Sequence, residues 1–153
     1  MKFSTAVLSM ATIATHVLAK GMERIETPDA YTFCFDNGWA VDVDVPGPSH
    51  ILEVTRALCA ENAGKEFDVF EESMKVVNYN SAANGKPTKT EIVIQQSFPN
   101  PKKLNGDECN NLFKNVIWRC PLAMSGGQLS HFTGGQSRGK GDGHWVAIIT
   151  EPL

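Results

Sequence analysis

The sequence predicts an α+β fold: a two-layer α/β sandwich with an antiparallel sheet on one side and two helices on the other. Three observations predict it. Two segments carry apolar residues at helical spacing, and several short segments are β-branched or aromatic. The two kinds alternate along the chain, and each helix has only one apolar stripe to bury.

The first residues belong to a different category. Met1 to Ala19 holds one charge, Lys2, and an apolar run that ends in Val17, Leu18 and Ala19. A short positive region, an apolar core and a small residue before the cleavage point form the layout of a secretory signal peptide. Five Ser/Thr residues and His16 interrupt the run. A spanning helix needs ~20 predominantly apolar residues. The expected division is therefore 1–19 signal peptide, 20–30 flexible leader and 31–153 a single α/β sandwich domain. The leader is polar, with Thr27, Pro28 and Asp29 in a row.

In the domain, Tyr31 to Phe35 reads as a short strand and Asn37-Gly38 as a turn. Trp39, Val41, Val43 and Val45 alternate with Ala40, Asp42 and Asp44, the period of a half-buried strand. Pro46, Gly47 and Pro48 stop it. Ser49 is placed to cap a helix from His50 to about Asn62, with Ile51, Val54 and Leu58 on one face and Gly64 just past the end. Met74 to Tyr79 and Thr88 to Phe98 read as strands joined by a polar loop at 80–87. A loop this short carries a hairpin, not a parallel crossover.

Asn105 and Glu108 have the spacing of a capping box. Behind them Cys109, Leu112, Phe113, Val116, Ile117 and Cys120 form one stripe at helical period. Pro121 is expected to end that helix. Residues 124–143 hold seven glycines and read as a long exposed loop or a small irregular hairpin. Trp145 to Ile149 is the last strand. The order strand, helix, strand, strand, helix, strand is the βαββαβ pattern of ferredoxin-like sandwiches, with the two helices antiparallel.

Four cysteines in a secreted chain imply two disulfides, with three possible pairings. Cys109 and Cys120 on one helix are ~16 Å apart at the helical rise, whereas bridged Cα atoms lie within ~7 Å. That pairing is excluded. Antiparallel helices bring the end of the first beside the start of the second. This favours Cys59–Cys109 and, by remainder, Cys34–Cys120.

The signal peptide, the small acidic domain, the element order and the helix-borne cysteines together resemble fungal secreted effectors. More narrowly, they resemble those with the killer-toxin-like α/β sandwich. The stretch from Cys109 to Cys120, followed by Gly126 and Gly127, carries the local part of the likeness. The resemblance implies a secreted, extracellular (apoplastic) protein that binds a host or competitor protein or a surface glycan. It supplies no catalytic residues.

Composition narrows the partners. The formal net charge is −3, and loss of Lys2 with the signal peptide makes it one unit more negative. That argues against generic binding to nucleic acid. No second apolar run approaches spanning length, so stable membrane insertion is not expected. The protein is read as a monomer without metal or cofactor.

Several residues invite a catalytic reading. A cysteine with His144 is similar to the arrangement in some cysteine peptidases, which need a thiolate beside an imidazole. His131 and His144, with Asp142 or Glu151, offer the acid–base groups of a ribonuclease or a loose metal set. Gly134 to Gly141 has a glycine-rich loop with Lys140, but not the spacing of a phosphate loop. Asp42 and Asp44 on one strand face offer the two carboxylates of glycosidase chemistry, but alternate strand residues, ~7 Å apart, ordinarily just face water. The favoured reading places function on the loops instead. The interaction-surface candidates are Gln136, Arg138, Lys140, His131 and His144, with the 80–87 hairpin tip; a secreted hydrolase using His144 is the alternative.

Overall fold

The computed structural model describes residues 22–36, 41, 50–81, 84–96, 101–141 and 143–153. The expected signal peptide, Ser49, Asp142 and the strand expected from Trp39 to Val45 (Val41 excepted) lie outside the described residues. Val41 forms an isolated antiparallel bridge with Phe132.

The architecture is α+β. Among the described residues there are eight strands: β1 (Met22–Glu26), β2 (Ala30–Phe35), β3 (Glu66–Phe67), β4 (Glu72–Asn80), β5 (Pro87–Gln96), β6 (Lys102–Lys103), β7 (Gly134–Gly139) and β8 (His144–Pro152). Six of them form one sheet in the order β1-β2-β7-β8-β5-β4, and every pairing in it is antiparallel. β3 and β6 make a separate two-stranded ribbon.

This corrects the four-stranded expectation. In a split βαββαβ sheet, one strand separates the two that a helix joins. Here β2 and β4, on either side of the first helix, are separated by β7, β8 and β5. The segment expected to be a flexible leader contributes β1, paired from Met22↔Phe35 to Glu26↔Tyr31. The glycine-rich segment expected to be a loop contributes β7, an inner strand between β2 and β8.

The helices follow the sequence closely. α1 runs Ile51–Asn62 and buries Ile51, Val54, Thr55, Leu58, Cys59 and Asn62. Gly64 follows at φ 77°, a left-handed conformation that favours glycine. α2 runs Gly106–Lys114, and the Asn105 side chain accepts hydrogen bonds from the backbone N–H of Asp107 and Glu108. These occupy donors that a bare helix start leaves unpaired.

The helix does not end at Pro121. A π turn, Asn115–Arg119, leads into α3, Cys120–Ser125, with Pro121 in its first turn. A proline inside a regular helix loses one hydrogen bond and its ring meets the carbonyl four residues back. The widened turn shifts that carbonyl, and the first turn of α3 asks for no N–H there. Gly126, at φ 64°, closes the helix.

The main core lies between the sheet and the helices. From the sheet it takes Ile92, Ile94, Val146 and Ile148; from the helices it takes Leu58, Leu112, Phe113, Val116 and Ile117. Both expected disulfides are present: Cys59–Cys109 joins α1 to α2, and Cys34–Cys120 joins β2 to α3. Their Cα separations are 5.8 and 5.1 Å. A second, smaller apolar cluster on the opposite sheet face contains Phe35, Val93, Ala147 and Ile149, with Trp145 packed against it.

Candidate functional site

Alternation along the strands decides which side chains meet. Cys34, Gly135 and Ile148 align across β2, β7 and β8 on the helix side. Their neighbours in sequence therefore point the other way. On that second face, Tyr31 is opposite Arg138, and Arg138 is opposite Trp145. One row along, Phe33 is opposite Gln136, and Gln136 is opposite Ala147. Directly opposite residues hold their Cβ atoms about 4.5–5.5 Å apart. The aromatic side chains of Phe33 and Trp145, an amide and a guanidinium thus come from three strands to one place, with Tyr31 beside them.

They bound a cavity of about 250 Å³, lined by Phe33, Gln136, Ser137, Arg138 and Trp145. Ser137 enters the lining from a strand whose side chain is turned to the core. Its hydroxyl lies 3.0 Å from that of Thr32 and donates to the Tyr31 carbonyl at 3.2 Å.

The electrostatics centre on Tyr31. Arg24, Lys140 and Arg138 each place a cation over its ring, at 4.7, 5.0 and 5.4 Å from the centroid. An aromatic face attracts cations through its quadrupole. One carboxylate balances part of this charge. Glu26 accepts from Lys140 through Oε1 at 2.6 Å and from Arg24 through Oε2 at 3.1 Å. The hydrogen bond from Lys140, with the charges of Lys140 and Arg24, holds the Glu26 carboxyl below its ordinary value. Both Glu26 oxygens are therefore taken. Arg138, exposed at the cavity rim, makes no ion pair with a described residue.

Among the sequence candidates, Gln136, Arg138 and Lys140 come together here, on or beside a strand instead of a loop. His131 and His144 do not join them. His131 is exposed in a 3₁₀ turn, Leu129–His131. His144 is buried at 2% exposure on the helix side, edge-on to Phe67 at 5.6 Å. The two imidazoles do not share an accessible site. All four cysteines are in disulfides, which leaves no thiol for a peptidase nucleophile. Among the described residues no three His, Cys, Asp or Glu side chains gather as a metal site.

The sequence reading missed Tyr31, Phe33 and Trp145 as site residues. The signal was present: Tyr31 and Phe33, and likewise Gln136 and Arg138, stand two apart and so share one strand face. It becomes legible only once 134–139 is recognised as a strand.

A second groove of about 570 Å³ runs between the β1–β2 turn and α2, past Asp29, Asn111 and Arg119. Acidic and basic groups mix along it, so no one ligand charge is favoured.

No known family, curated protein or solved structure matches this chain.

Proposed function

We propose that this protein is a secreted, disulfide-stapled interaction protein, an effector of the killer-toxin-like kind. In this reading it acts by binding a host or competitor target outside the producing cell. The observation that carries the reading is the pair of disulfides fixing the helices to each other and to the sheet. Such bonds form and persist in oxidising compartments, and the signal-like N-terminus provides a route there. Among the described residues no helix is long and apolar enough to cross a membrane.

The contact surface assigned to the loops moves in this reading to the second face of the sheet, around β7. Arg138 is exposed there beside half-buried aromatic side chains. Rigid strands then present the recognition groups, which lowers the ordering cost of binding.

Expression of the full chain in a secreting eukaryotic host tests the first step. The medium should contain oxidised protein beginning at Lys20. Retention in the cell, or secretion with residues 1–19 uncleaved, would overturn it. For the second step, immobilised protein is exposed to extracellular fluid from a candidate host. The expected result is a captured partner that is lost with Arg138→Glu and kept with Lys114→Gln on the helix side. Hydrolysis of RNA or peptide substrates that disappears on substitution of His144 would instead support the hydrolase alternative.

A further inference from the structure

The cavity on the second sheet face has a composition that identifies a ligand class, whether or not the protein is secreted. Its volume of about 250 Å³ lies below the ~300–1,000 Å³ of pockets for drug-sized ligands. It suits a single ring with a small substituent. Phe33 and Trp145 supply flat apolar walls. Gln136 supplies one amide with both donor and acceptor capacity. Arg138 supplies a planar fork of N–H donors that matches a carboxylate in two places at once.

Charge points the same way. Around Tyr31, three cations stand against one carboxylate that pairs with them among the described residues, Glu26. This local excess of positive charge occurs in a chain whose formal net charge is −3. Arg24 and Lys140 are held by Glu26, so among the described residues around Tyr31 the cation left for a ligand is Arg138. Its guanidinium is braced by the Tyr31 ring and set at the mouth of the cavity. A preset guanidinium loses less freedom on binding than a mobile one.

We infer that the cavity formed by Phe33, Gln136, Arg138 and Trp145 is a binding site for a compact ring-bearing carboxylate, its ring between the aromatic walls and its carboxylate on Arg138. Two sources share this chemistry. An aromatic acid presents a π-face, and a uronic acid sugar presents a face of C–H groups and hydroxyls that Gln136 can meet.

The full chain with both disulfides intact is titrated with sodium benzoate and with sodium galacturonate, and with the methyl ester of each. Calorimetry gives affinity, and the indole N–H signals in ¹H–¹⁵N spectra give location. At least one acid should bind at about 1 mM or tighter, shifting the Trp145 indole signal and leaving that of Trp118 in place. Its ester should bind about tenfold more weakly, because the charge-assisted hydrogen bonds are lost. Arg138→Gln should weaken the acid by a similar factor, Arg138→Lys by less, and Lys114→Gln should leave binding unchanged. Binding of benzoate alone identifies a planar aromatic ligand; binding of galacturonate alone identifies an acidic sugar. The inference is overturned if neither acid binds, if acid and ester bind equally, or if folded Arg138→Gln binds as tightly as the parent. The ester comparison uses the unaltered chain, so it decides the matter even if a variant fails to fold. Failure here leaves the secretion test untouched, and failure there leaves this one untouched.

Discussion

Gly135 has no room for a side chain. A Cβ on it would lie 2.9 Å from the Cys120 sulfur and 2.9 Å from the Phe33 carbonyl oxygen. Neither atom can move freely: one belongs to a disulfide and the other to a sheet ladder. The glycine exists so that α3 and its disulfide can approach β7 closely. Gly64 presents the opposite case, with open space around it but φ at 77°. Gly135→Ala should therefore cost about 1–3 kcal/mol through overpacking. Gly64→Ala should cost about 1 kcal/mol through backbone strain alone. Urea unfolding of both variants checks the order, and a reversed order would contradict the packing account. The same glycines explain a failure of sequence reading. Glycine is depleted in strands, so seven within twenty residues read as a loop. Composition records that a side chain is missing, but not that a disulfide occupies its place.

Elements that carry their own local signals were legible, and elements made by their neighbours were not. α2 announces itself through Asn105 and a six-residue stripe that continues through the π turn into α3. Asn105→Ala should lower stability by about 1 kcal/mol, and Asn105→Asp should retain most of it. Thermal unfolding of the two variants beside the parent measures this. β1 has no comparable signal: Glu23, Arg24 and Glu26 surround one half-buried residue, Ile25. It is a strand because β2 offers an edge for it to pair with. The link between β3 and β4 is also a local device. Glu71 pairs with Lys65 at 2.7 Å and accepts from the Asp68 backbone N–H at 2.9 Å, around Phe70 at φ 65°. The hydrogen bond from Lys65, then that from Asp68, lowers the Glu71 carboxyl from its ordinary 4.5. A carboxylate lowered in the folded state contributes stability that is present above its unfolded value. That contribution is lost as pH falls from 4.5 through the folded value. Glu71→Gln should therefore be less stable than the parent near neutral pH, and the difference should shrink on acidification. Melting temperatures of both proteins from about pH 7 to pH 3 test the sign. A difference that grows in acid would contradict it.

At the scale of the molecule, the two-layer arrangement and both disulfides could be deduced before the strand order could. Helix geometry excludes one cysteine pairing outright, whereas the sheet order depends on β1 and β7, which have weak local signatures. The disulfides are nested: Cys59–Cys109 closes a separation of 50 residues inside the 86 spanned by Cys34–Cys120. In the chain-entropy picture, stabilisation rises only with the logarithm of the loop length, so the two bonds differ by less than about 1 kcal/mol as single closures. Their structural reach differs more. The inner bond ties α1 to α2, two elements already packed together in the core. The outer bond ties β2 to α3 and holds the strand that carries Tyr31 and Phe33. Replacing Cys59 and Cys109 by alanine should cost about 2–4 kcal/mol and leave the cavity residues in register. Replacing Cys34 and Cys120 should cost a similar amount or slightly more. It should also speed hydrogen exchange at β1 and β2 relative to β4 and β5, because β1 is paired only through β2. Denaturant unfolding and site-resolved exchange on the two double variants separate these effects. Equal exchange in both variants would show that the sheet holds β2 without the outer bond.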